Sequence, residues 1–143
     1  MKVDGGFSSP AAPTALRTLG TDRDRLGDVR TLSDLEVDGD GAIRGRFAPQ
    51  SLFAGTTFDV VIRTVRVDGE SAELHVSGRH GPHLVDVTLK IGFAATGTGT
   101  RVTWAADVTA RGPLASIGQR VLHDLAARAI GEVLHQAAAV AHA

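Results

Sequence analysis

The chain has 143 residues, 43% of them hydrophobic and 22% charged, ordinary values for a soluble globular domain. A formal net charge of −1 supplies no field to draw in nucleic acid or an acidic membrane surface. There is no cysteine, which removes disulfides, thiolate metal sites and cysteine nucleophiles together.

The length suits one domain spanning residues 1–143, with enough chain to bury a substantial core. Met1-Lys2-Val3-Asp4 carries no apolar leader pattern. No apolar run reaches the roughly 18 residues of a membrane span, since His135, Gln136 and His142 interrupt the apolar tail. The expectation is a soluble, cytoplasmic chain that touches a membrane at most peripherally, at its inner face. Arginine carries the basic charge, with Lys2 and Lys90 the only lysines, a bias that fits a GC-rich genome without any functional cause.

In chain order, residues 2–9 alternate as a half-buried strand, Val3, Gly5 and Phe7 opposing Lys2, Asp4 and Ser8. Pro10 and Pro13 end it, and Pro13 suits the first turn of a short helix over Thr14 to Leu19. Thr21 or Asp22 can cap a second short helix around Arg25. Hairpin chemistry then separates strand from strand. Asp38-Gly39-Asp40-Gly41 lies between Leu32–Val37 and Ile43–Phe47, and Asp68-Gly69 between Phe58–Val67 and Ala72–Ser77. Gly97-Thr98-Gly99 lies between Leu84–Phe93 and Arg101–Thr109. Successive hairpins make an antiparallel meander.

Alternation also assigns the faces. Val85, Val87, Leu89, Ile91 and Phe93 share one side of their strand, and Val102, Trp104, Ala106 and Val108 share one side of the next. The other side is polar, so the sheet is covered on one face only. The cover is the last segment: Gly112-Pro113 ends the final strand and starts a helix. Leu114, Ile117, Val121, Leu122, Leu125, Ala129, Val133, Ala137 and Val140 recur at helical spacing along it. A helix of about 28 residues would run roughly 42 Å, long enough to cross the sheet.

Reactive chemistry is hard to assemble. None of the serines sits in a G-x-S-x-G elbow, and the glycine-rich turns lack the G-K-[ST] of a phosphate loop. His80 and His83 fall in one turn, but no further ligands stand at metal-site spacing, and solvated turn histidines are the better reading. Arg44, Arg46, Arg63 and Arg101 on the outer face are interspersed with Asp59, Glu73, Asp86 and Asp107, a mixed solvated surface. No metal, cofactor or catalytic residue is assigned.

Apolar volume is what remains. A curved sheet and one straight helix cannot meet everywhere, and with five Phe, one Trp, one Met and no Tyr few large side chains exist to fill the gap. An under-filled apolar interior is costly, which favours a ligand cavity over a helix docked tightly enough to fill it. The candidate lining is Phe47, Phe58, Val60, Ile62, Leu74, Val76, Val87, Leu89, Trp104 and Ala106 from the sheet, closed by Ile117, Val121, Leu125 and Ala129 from the helix. Leu52 and Phe53, near a strand junction, are candidates for a membrane or partner contact.

A strand, two short helices, six more strands and a long C-terminal helix is the element order of the START-like, pollen-allergen-like SRPBCC superfamily. The expected class is therefore α+β: a helix-grip, with a seven-stranded curved antiparallel sheet around that helix. Within it the chain resembles the G-subunit family of carbon monoxide dehydrogenase. The resemblance is carried by Met1-Lys2-Val3-x-Gly5-x-Phe7 and by Gly39-Asp40-Gly41-x-Ile43-Arg44-Gly45. It is strongest in Gly99-Thr100-Arg101-Val102-Thr103-Trp104-x-Ala106-Asp107-Val108 and Leu114-Ala115-x-x-Gly118-x-Arg120. The chain departs from the family at Leu16, at Asp28-Val29-Arg30-Thr31 and near Leu52-Phe53, around the expected mouth of the cavity. The resemblance implies a non-enzymatic accessory protein that binds a lipid or quinone and recruits a molybdenum carbon monoxide dehydrogenase or related hydroxylase to the membrane. Two other readings stand beside it: a small polyketide cyclase or aromatase, which needs polar groups pointing inward, and a structural module with a filled core.

Overall fold

The computed structural model describes residues 1–49 and 56–143. The elements are β1 (Lys2–Ser9), α1 (Pro13–Leu19), α2 (Arg23–Leu26), β2 (Leu32–Val37), β3 (Ile43–Phe47), β4 (Phe58–Val67), β5 (Ser71–His80), β6 (His83–Ala95) and β7 (Thr100–Arg111). A 3-10 turn over Gly112–Ser116 leads into α3 (Gln119–His142). The strands form one antiparallel sheet in the order β1-β7-β6-β5-β4-β3-β2, so the last strand closes back on the first. This is the helix-grip arrangement.

Local chemistry explains the boundaries. Pro13 opens α1, and the Asp22 carboxylate caps α2 by accepting from the backbone N–H of Asp24 at 3.1 Å and Arg25 at 3.2 Å. In the β4–β5 turn the Asp68 carboxylate accepts from the N–H of Glu70 and of Ser71, each at 2.9 Å. These bonds, with the Ser71 hydroxyl, hold the Asp68 carboxyl below the ordinary aspartate value of 3.8. In the β2–β3 turn Gly41 takes the left-handed conformation, φ 87.

The final helix differs from the expectation. The segment beginning at Gly112-Pro113 makes only a 3-10 turn, and Gly118, at φ 99 and ψ 143, separates it from the 24-residue α3. A side chain cannot follow that backbone without strain, so the expected single helix is broken before it starts. Strands β5 and β6 are also longer than expected, pairing out to His80 and His83 across a two-residue Gly81-Pro82 turn.

Two packed clusters hold the sheet and helix together. One joins β1, β6 and β7 through Val3, Phe7, Leu89, Ile91, Val102 and Trp104; the other joins α1, α2, β2 and β3 through Leu19, Leu26, Val29, Leu32 and Ile43. The helix contributes Ala138 to the first and Ala141 to the second, its two fully buried residues. Polar ties sit at the same end. The Thr31 hydroxyl and N–H donate to Gln136 Oε1 at 2.8 and 3.2 Å, Arg25 donates to the Val140 carbonyl, and His135 stacks on Phe7 at 4.0 Å. The helix is thus gripped by its C-terminal half.

Candidate functional site

Beneath α3, from Leu122 to Ala137, lies a cavity of about 270 Å³. The sheet supplies its floor through Phe47 of β3, Phe58, Val60 and Ile62 of β4, Leu74, Val76 and Gly78 of β5, and Val85, Val87, Leu89 and Ile91 of β6. The helix supplies the roof through Leu122, Leu125, Ala126, Ala129, Ile130, Val133, Leu134 and Ala137, and Leu114 enters from the 3-10 turn. Leu16, Leu19, Gly20 and Leu26 close one side from α1 and α2. Among the described residues, every lining side chain is a hydrocarbon or a glycine. Such a wall offers dispersion and desolvation but neither a proton nor a charge.

The family model that describes the G subunit of carbon monoxide dehydrogenase (CoxG) matches residues 31–141. The chain belongs to the CoxG family. No curated protein matches it significantly. Among solved structures, a conserved protein from Geobacillus kaustophilus superposes with a TM-score of 0.81 at 17% identity, covering 99% of this chain and 95% of that one. A START superfamily protein from Mycobacterium smegmatis superposes with a TM-score of 0.72 at 11% identity, covering 96% and 94%. A protein from Thermus thermophilus gives 0.69 at 17% identity, covering 99% and 97%. At these identities the structural likenesses establish the fold alone.

Within this CoxG-family chain the residues expected to line a cavity divide by position. Phe47, Phe58, Val60, Ile62, Leu74, Val76, Val87, Leu89, Leu125 and Ala129 surround the void. Trp104 and Ala106 do not: they are buried in the cluster beside β1. The Trp104 ring lies where a Gly5 side chain would stand, 2.7 Å from its ideal Cβ, so the indole fills space on the β1 side, away from the void. Ile117 and Val121 are corrected too, being 40% and 50% exposed. The break at Gly118 sets the phase of α3 so that Leu122 and Leu125, rather than Val121, face inward. Leu52 and Phe53 lie outside the described residues.

Several lining positions were missed. Val85 and Ile91 share the inward row of β6, and Leu122 and Val133 belong to the helical apolar stripe, so periodicity was a sufficient signal for them. Leu19 and Leu26 carried none, because α1 and α2 are too short to show a face.

The polar candidates have local roles. Ser71 donates to Asp68, and Ser116 donates to the Pro113 carbonyl at 2.7 Å. Ser9 accepts from the Ala11 N–H at 3.1 Å. Arg44 pairs with Asp38 at 2.9 Å, Arg63 with Asp40 at 2.8 Å, and Arg46 lies between Asp34 and Asp59, which makes a mixed outer face. A hydrogen bond shared with the Asp38 carboxyl, and one donated by Arg63, hold the Asp40 carboxyl well below the usual carboxylate range. Among the described residues no three His, Asp or Glu side chains gather as a metal site, and no helix is long and apolar enough to cross a membrane.

Proposed function

We propose that this chain is a non-enzymatic accessory protein that carries a lipid or quinone in its cavity and recruits a molybdenum carbon monoxide dehydrogenase or related hydroxylase to the membrane. The observation that carries the reading is that the described lining of a void gripped between sheet and helix is wholly apolar. Cyclase or aromatase chemistry asks for an acid, a base or an oxyanion donor against the substrate, and none of the described lining residues supplies one. Family membership supports a carbon monoxide dehydrogenase as the partner. Ile117 and Val121 add exposed apolar surface between the lining residues Leu114 and Leu122, and by their sequence Leu52 and Phe53 are further candidates for a membrane or partner contact.

The test is denaturing extraction of the purified chain and mass spectrometry of what is released, paired with flotation of the hydroxylase on liposomes. A stoichiometric lipid or quinone, and flotation that depends on this chain, are the expected results. Repeated extraction of nothing, together with a hydroxylase that floats equally well without this chain, would sink the reading.

A further inference from the structure

We propose that His80 and His83 form a polar subsite at one end of the apolar cavity, taking the oxygen-bearing head of an amphiphile whose hydrocarbon tail fills the void. The proposal rests on the cavity reading above and adds to it the orientation of the ligand and the group that recognises its head.

Strands β5 and β6 pair without a register shift from Ser71 opposite Gly92 to His80 opposite His83. Side chains alternate along a strand, so the inward row through Val76 and Gly78 continues to His80, and the row through Val87 and Val85 continues to His83. Gly78 and Val85 line the cavity. The two imidazoles therefore stand one step further along the inward rows, roughly 7 Å along the strands, at the rim, where His80 is exposed and His83 half-buried. Phe58, itself a lining residue, packs against the His80 ring with centroids 5.9 Å apart. The two imidazoles are 6.1 Å apart and inclined by only 11°.

Their hydrogen bonding is incomplete in a way that suits a head group. The Thr57 carbonyl lies 2.9 Å from His80 Nδ1. A carbonyl only accepts, so this nitrogen carries the proton, and in the neutral ring Nε2 is left as an acceptor. His83 Nδ1 is buried and has no hydrogen-bond partner among the described residues, an arrangement that asks for an explanation in a folded protein. A polar head placed among the lining residues would be stripped of water with nothing to bond to. The ligand therefore enters with its tail inward and its head at the histidine end. A hydroxyl, as in the glycerol of a monoacylglycerol, can donate to His80 Nε2, and a quinone carbonyl can accept from His83 in the tautomer that carries its proton on Nδ1.

The experiment uses the full chain and three probes: pyrene as a pure hydrocarbon, and decylubiquinone and monoolein as competitors bearing oxygen. His83→Phe is expected to bind pyrene as the wild type does, and to bind one or both competitors about tenfold more weakly, the size of one hydrogen bond to a buried group. Loss for decylubiquinone alone identifies a quinone head, and loss for monoolein alone a glyceride head. If His83→Phe does not fold, the wild-type His83 ¹⁵N resonances decide: they should move with decylubiquinone or monoolein and stay in place with pyrene. Unchanged competitor binding in the variant, an equal loss for pyrene, or resonances indifferent to the head group overturns the subsite while leaving the cavity reading intact. If pyrene and both competitors all fail to bind the wild type, the cavity reading falls with it.

Discussion

Gly5 and Trp104 show how a single absent side chain sets packing. They face each other across β1 and β7, and the indole occupies the volume above the glycine. Gly5→Ala places a methyl group 2.7 Å from the ring, and overpacking of this kind costs about 1–3 kcal/mol. Urea unfolding followed by the fluorescence of Trp104 should report a lowered midpoint with an unchanged slope. Gly99 has a similar duty, since its ideal Cβ would overlap the Ser9 carbonyl. The neighbouring Thr100 hydroxyl donates to the Ala11 carbonyl at 2.7 Å. The residues that carried the family resemblance in this stretch are thus packing residues of the sheet corner, which explains why they foretold the fold and not the ligand. Asp68 permits a pH test. Its folded pKa is depressed, so its stabilising contribution is full above the ordinary value of 3.8 and fades as pH falls through the lower folded value. Asp68→Asn should lower Tm at neutral pH, and the gap from wild type should close well below pH 3.8.

At the scale of elements, strands were legible because alternation and Asp-Gly turns are strong local signals. The expected starts and ends of β1 to β4 match the structure. The helix was legible as an apolar stripe, in phase from Leu122 to Ala137 but not at Ile117 and Val121. Periodicity gives spacing, whereas the break at Gly118 arises from a backbone conformation outside the helical region. That one residue decides whether Val121 or Leu122 faces the sheet. Gly131 lies within the same stripe but has a different standing: nothing approaches the place its Cβ would occupy. Gly131→Ala should stabilise the chain by about 0.5–1 kcal/mol through helix propensity, read as a raised urea midpoint. Sequence alone does not separate the two glycines, since both simply interrupt a helical pattern.

For the whole molecule, the shortage of large side chains signalled under-filling, but not where the unfilled space would lie. Trp104, the largest side chain, goes to the β1 side, and the void falls between β3–β6 and the stretch of α3 from Leu122 to Ala137. The helix is anchored through Ala138, Ala141 and Gln136 and only half-buried over the void. Reducing the void should separate stability from binding. Ala129→Leu, directed into the cavity, should hold or raise Tm, as cavity-filling changes commonly do. The same variant should bind pyrene several-fold more weakly in fluorescence titration.

The cavity has a mechanical consequence as well. Unfolding under hydrostatic pressure is driven by the loss of internal voids, and the volume change scales with the void eliminated. A chain with about 270 Å³ unoccupied between sheet and helix should be compressible and unfold at modest pressure. The same chain loaded with a hydrocarbon tail should withstand more, and the difference in transition pressure, followed by the fluorescence of Trp104, would measure how completely the guest occupies its host.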